Sequence, residues 1–85
     1  MNMKEARRLK PGAIVREAWN VAAVRTGLVL TKEHVRETHY AKALGSRKDE
    51  RYDVMVHWFD GPRLSAQSTN PEKLQNWQIM VISHA

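Results

Sequence analysis

The chain of 85 residues has no cysteine, only four glycines and a single phenylalanine. Without cysteine, neither a disulfide framework nor a thiolate metal site can form. No run of 18 apolar residues occurs, so the sequence predicts no transmembrane helix. The first nine residues lack the apolar core of a secretory signal peptide. These absences predict one small domain that is not secreted by a signal peptide and does not enter a membrane.

Catalytic motifs are also missing from the sequence. The four histidines are scattered and have no H-E-x-x-H spacing, and no serine stands in a nucleophile-elbow context. The glycines do not form a phosphate-binding loop. Carboxylates such as Asp49 and Glu50 stand beside the basic residues Lys48 and Arg51. We therefore predict that the protein is not an enzyme and has no cofactor and no metal site.

Basic residues exceed acidic ones by 14 to nine, which gives a formal net charge of +5. Such an excess is either an electrostatic footprint for nucleic acid or a solvated basic surface. The charge concentrates in the first ten residues and again around residues 42–51. The candidate nucleic-acid contacts are Lys4, Arg7, Arg8, Lys10, Tyr40, Arg47, Lys48 and Arg51.

The most regular pattern in the chain lies in residues 52–59, where two sets of side chains alternate with period two. The more apolar set is Tyr52, Val54, Val56 and Trp58, which we expect to face the core. The other set is Asp53, Met55, His57 and Phe59. Because Asp60-Gly61 follows directly, the run predicts a strand that enters a β-hairpin.

Four further strands are predicted from apolar segments between turn residues, at 13–19, 27–31, 63–68 and 77–83. Asn70 and Pro71 suit the cap and first position of a short helical turn over 70–74. Trp58 and Trp77 are expected in the core. Residues 1–9 are interpreted as a basic N-terminal arm or short helix, and residues 10–85 as a single β-domain.

Residues 33–44 have two interpretations. The pairs Val35/His39 and Tyr40/Leu44 stand at i,i+4, and Gly45 suits a C-terminal helix cap. These features favour a helical insertion that would cover Met55 and Phe59. Against the helix, no capping box opens the segment, so an extended hairpin arm is the alternative.

Several segments together resemble the SH3-like barrel family. They are Leu9-Lys-Pro-Gly-Ala-Ile-Val15, Gly27-Leu-Val-Leu30, Tyr52-Asp-Val-Met-Val56 and the Pro71-Glu-Lys-Leu74 turn. More narrowly, the chain is similar to small uncharacterised barrel proteins encoded by tailed bacteriophages, except over residues 32–50. The resemblance implies a mainly β, five-stranded barrel with a short helical turn before the last strand. It implies no activity, because a fold does not determine a function.

Two functions follow as expectations. The first is a non-enzymatic protein-interaction module, a phage accessory protein in the host cytoplasm or the virion, with a phage or host protein as its partner. Trp19, which ends the first predicted strand, would anchor that partner together with Met55, His57 and Phe59. The alternative is a basic barrel that binds single- or double-stranded nucleic acid with weak sequence specificity. The sequence leaves the partner and the oligomeric state open.

Overall fold

The computed structural model describes residues 1–18, 25–41, 45–59 and 70–85, and for residues 39–41, 46 and 47 it describes the backbone alone. Its elements in chain order are α1 (Met3–Arg8), β1 (Ile14–Glu17), β2 (Thr26–Ala41), β3 (Gly45–Trp58), β4 (Glu72–Gln75), a 3-10 turn (Asn76–Gln78) and β5 (Ile79–Ser83). The prediction of a mainly β protein with a short helical turn before the last strand is confirmed.

The five strands form one antiparallel sheet in the order β4-β3-β2-β1-β5. The two edge strands are consecutive in the chain and are joined only by the 3-10 turn. In a flat sheet they would lie about 19 Å apart, whereas the four peptide steps from Gln75 to Ile79 span at most about 14 Å. The sheet must therefore curl, although it is not closed by pairing between β4 and β5 in the described residues.

The core lies on the face of β3 that the alternation predicted. Val54, Val56 and Trp58 are completely buried, and Tyr52 is 7% exposed. The other elements contribute smaller side chains to the same cluster, namely Ala6, Leu9, Ala13, Val15, Val29, Leu74 and Ile79. The register is strongly specified because a shift by one residue would turn this whole face of β3 toward solvent.

Gly27 lies opposite Trp58 and leaves no room for a side chain. A Cβ atom at this position would come within 2.6 Å of Val56 Cγ1 and 2.7 Å of the His57 carbonyl oxygen. We expect Gly27→Ala to lower the free energy of unfolding by about 1–3 kcal/mol through overpacking. Urea denaturation measures this loss against Thr31→Ala, an exposed position of the same strand. Equal midpoints for the two variants would show that the strands can separate there at no cost.

The helix expected over residues 33–44 is wrong where the structure describes that segment. Residues 33–41 continue β2, and the register with β3 runs without interruption from Thr31↔Met55 to Ala41↔Gly45. The i,i+4 pairs that favoured a helix contribute only about 0.2–0.5 kcal/mol each, and no capping box opens the segment. Residues 33–41 instead pair with β3 along one edge. This is the extended hairpin arm that the alternative interpretation predicted. The segment consequently does not form a helical cover for Met55 and Phe59.

The turn predicted over residues 70–74 is also misplaced. Residues 72–75 form β4, and the helical turn follows at 76–78. Asn70 does not cap a helix; its side chain accepts from the Trp58 amide (2.9 Å) and donates to the Trp58 carbonyl (3.1 Å). Trp77 is 55% exposed on the 3-10 turn, so its assignment to the core is wrong. The predicted turn at 60–61 and strand at 63–68 lie outside the described residues.

Helix α1 is only six residues long, and contacts at both ends hold it. The Asn2 side chain accepts from the Glu5 amide at 2.8 Å. At the other end, Lys32 Nζ donates to the carbonyl oxygens of Ala6 (3.0 Å) and Arg7 (3.1 Å). Burial lowers the pKa of Lys32, and the charge of Lys10 lowers it further. A cation at the C-terminal end of a helix is favourable, which explains how so short a helix persists on the sheet.

Candidate functional site

A cluster of charged side chains is buried at one end of the sheet. Arg25 Nε donates to Glu17 Oε1 at 2.8 Å, and Arg25 Nη2 lies 2.7 Å from both Glu17 Oε1 and Glu72 Oε2. The guanidinium carbon of Arg25 is 4.2 Å from the centroid of the Trp58 ring. The indole N–H of Trp58 in turn donates to Glu72 Oε2 at 3.0 Å. Four residues from three strands and a loop thus form one hydrogen-bonded group.

This cluster has a structural role. Burial alone would lower the pKa of Arg25, but the hydrogen bonds and charges of Glu17 and Glu72 outweigh burial and raise it. Arg25 is therefore a permanent cation between two carboxylates. It links β1 to β4, which are not neighbours in the sheet, and so fixes the curl. Glu17 and Arg25 are buried and bound to each other, and Glu72 is held by Arg25 and Trp58.

The outer face of the sheet carries large apolar side chains across four strands. Phe59 is 55% exposed and Leu30, the extra residue of a bulge in β2, is 39% exposed. Leu28 is the register partner of Ile14 on β1, which places these two apolar residues side by side, and its partner on β3 is His57. We call this surface the outer apolar strip; it consists of Ile14, Leu28, Leu30, Met55, Phe59, Met80 and Ile82.

Three of the four residues predicted to bind a protein partner lie on this face. Met55 is half-buried, while His57 and Phe59 are exposed. The fourth, Trp19, lies outside the described residues. Sequence reasoning missed Met80 and Ile82 (43% and 55% exposed) because the apolar run of β5 gives no sign of which side chains the core leaves out. In the structure Ile79 is buried and Met80 is exposed, so Met80 belongs to the side chains of β5 that face outward.

The predicted nucleic-acid residues fall into two groups on different elements of the fold. Lys4, Arg7 and Arg8 lie on α1, with Lys10 just beyond it, whereas the remaining four lie on β2 and β3. Of this second group, Tyr40 lies on β2, while Arg47, Lys48 and Arg51 lie on β3.

Acidic neighbours neutralise part of each basic group. Arg51 donates to Asp53 (3.0 Å) and Glu37 (3.4 Å), and hydrogen bonds to Glu37 and then Asp53 raise its pKa. Arg7 lies 3.9 Å from Glu50. Glu50 also accepts from His34 and lies 3.9 Å from Arg36. Exposed ion pairs of this kind contribute little stability, but they reduce the charge that these residues offer to a partner.

Two clefts lie along the extended part of β2 and β3. The larger, about 380 Å³, is lined by Arg36, Glu37, Thr38, Lys48, Asp49 and Glu50. The second, about 310 Å³, is lined by Asp49, Glu50, Arg51, Gln75 and Trp77. Small-molecule sites are mostly apolar with a few polar groups. Because charged residues of both signs line these clefts, they do not indicate a small-molecule site.

Within the part of the chain that the structure describes, no helix is long and apolar enough to cross a bilayer. The same residues include no group of three or more histidine, aspartate or glutamate side chains placed to hold a metal ion. Comparisons with protein-family models, with curated proteins and with solved structures found no match.

Proposed function

We propose that the protein is a non-enzymatic binding module that holds a partner protein against the outer apolar strip. The observation that carries this proposal is the exposure of Phe59 and Ile82, both 55%, with Leu30 and Met80 at 39% and 43%. Single exposed apolar residues are ordinary, but several on one sheet face mark an interaction surface. Aromatic residues and methionine are the side chains that interface cores favour.

Basic residues border the strip and indicate the character of the partner. Lys73 is the register partner of Met55, and Arg16 Nε lies 3.2 Å from Met80 Sδ. Both basic side chains are exposed. An apolar anchor flanked by acidic residues would complement this surface. The apolar part would supply the affinity, while the border charges would mainly raise the association rate.

The proposal also includes a specific type of fold. We take the curled sheet to be an SH3-like barrel, supported by the strand order β4-β3-β2-β1-β5 and by the 3-10 turn between β4 and β5. A role as an accessory protein of a tailed phage rests on the motif resemblance alone.

A photo-crosslinking experiment tests the binding surface. A benzophenone amino acid at position 59 should give one discrete protein adduct in extract of the cells in which the protein occurs. The captured protein, once purified, should bind the parent at least about tenfold more tightly than Phe59→Ser. Because Phe59 is exposed, that variant should melt like the parent.

The matched control places the same crosslinker at Lys4, which is exposed on α1. It should give no discrete adduct. If both positions yield the same set of adducts, the crosslinking is non-specific. If the purified partner binds Phe59→Ser as tightly as the parent, the outer apolar strip is not the binding surface.

A further inference from the structure

The distal part of β2 and β3 projects from the rest of the protein. The last seven pairs of the register, from Val35↔Arg51 to Ala41↔Gly45, lie beyond the segments that pair with β1 and β4. At about 3.3 Å per residue, this ribbon is about 20 Å long. The radius of gyration is 14.5 Å, against about 12 Å for a compact chain of this length. We call residues 35–41 and 45–51 the arm.

Charge is segregated along the arm. Near its base, Glu37 and Glu50 lie within 4 Å of Arg51 and Arg36 respectively. Beyond the pair Glu37↔Asp49 the sequence contains no acidic residue between positions 38 and 48. Within that acid-free stretch, strand β3 carries Arg47 and Lys48, and Lys48 is exposed. By sequence, the distal half of the arm is therefore the part of the ribbon with a net positive charge.

We propose that the arm binds duplex nucleic acid, with its distal half in a groove and Arg47 and Lys48 at the phosphate backbone. The major groove of B-DNA is about 12 Å wide and admits a two-stranded β-ribbon. The outermost pair of the register, Ala41↔Gly45, consists of small residues. Lysine and arginine are the residues that neutralise phosphates and release counterions.

Duplex nucleic acid fits the arm better than an acidic protein does. Protein interfaces depend on a buried cluster of aromatic or aliphatic anchors. The ring-bearing residues of the described part beyond Glu37↔Asp49 are His39 and Tyr40, and the one large aliphatic residue of the sequence between positions 38 and 48 is Leu44. The large apolar side chains lie instead on the outer apolar strip. This inference does not depend on the partner of that strip, because the two surfaces share no residue.

The test measures binding of a fluorescein-labelled 20-base-pair DNA of random sequence by anisotropy, at several salt concentrations between 50 and 200 mM. Arg47→Ala/Lys48→Ala should bind roughly tenfold more weakly than the parent at 50 mM salt. The slope of log affinity against log salt should become shallower by about two, about one for each lost phosphate contact. The matched control, Lys4→Ala/Arg8→Ala, removes the same two kinds of charge from α1 and should lose less than about threefold.

Circular dichroism should show that both double variants fold, and Lys48→Gln provides a milder second variant with about half the effect. Equal losses from the two double variants would mean that net charge alone causes the binding, and would overturn the proposal. It would also be overturned if the parent did not bind DNA at 50 mM salt, or bound single strands more tightly than the duplex. Competition by polyglutamate as effective as that by unlabelled duplex would assign the arm to acidic proteins instead.

Discussion

Trp58→Ala is expected to lower the free energy of unfolding by about 3–5 kcal/mol, a large part of the stability of so small a protein. The indole of Trp58 is completely buried and is the largest buried side chain among the described residues. Truncation of a buried tryptophan typically costs about 3–5 kcal/mol. At 0.05–0.15 kcal/mol per residue, the total stability of a chain of this length is only about 4–13 kcal/mol. The substitution also removes the N–H donor to Glu72 and the ring under Arg25, so the loss should lie at the upper end.

Thermal melting followed by near-ultraviolet circular dichroism measures this effect, and Trp77→Ala is the matched control. The Trp77 side chain is 55% exposed on the 3-10 turn, so its truncation should lower the free energy of unfolding by less than about 1 kcal/mol. The two variants remove the same group from one buried and one exposed site. If Trp77→Ala were the more destabilised, the assignment of Trp58 to the core would be wrong.

These two tryptophans also show how far the sequence predicts the fold. Trp58 lies in a strand where polar and apolar residues alternate, and the alternation reports burial directly. Trp77 begins the segment Trp77-Gln-Ile-Met-Val-Ile82, in which no charged residue marks the face that points outward. The same ambiguity concealed the exposure of Met80 and Ile82. Periodicity therefore predicted one face of β3 and could not predict the faces of β5.

The sequence favoured a helix over the arm for a different physical reason. Its sequence offers local i,i+4 pairs and a glycine at the expected helix end, while the pairing partner of each residue lies elsewhere in the chain. Val35, for example, pairs with Arg51. Tertiary pairing routinely overrides weak local propensity. The missing capping box at Thr31, which is followed three residues later by His34, was the one local signal that favoured the strand.

Of the candidate site, the sequence could predict Met55, His57 and Phe59, because they form the second set of the same alternation. It could not predict which basic residues are neutralised. The ion pairs of Arg51 with Glu37 and of Arg7 with Glu50 join residues from different elements. The buried cluster could not be predicted for the same reason, because Arg25 and Glu72 are 47 positions apart in the sequence. Charges that look equivalent in the sequence thus differ in their partners once the chain folds.

The buried cluster supports the second large prediction: Arg25→Met should destabilise the protein by about 3–5 kcal/mol. Methionine keeps much of the apolar contact with Trp58 but removes the guanidinium that Glu17 and Glu72 share. Removing one partner from a buried ion pair typically costs this much, because the remaining charge loses its counter-charge in a poorly solvated site. The Glu17 side chain is completely buried, so it has no access to water in compensation.

Urea denaturation of two further variants separates the lost ion pair from lost packing. Arg51→Met removes an arginine that is also shared by two carboxylates, but at a more exposed site, so its urea midpoint should lie close to that of the parent. The double variant Glu17→Met/Arg25→Met removes both buried charges and should be more stable than Arg25→Met alone, because replacing a whole buried pair by apolar groups is often close to neutral. A double variant less stable than Arg25→Met would show that Glu17 holds the end of the sheet through contacts other than this ion pair.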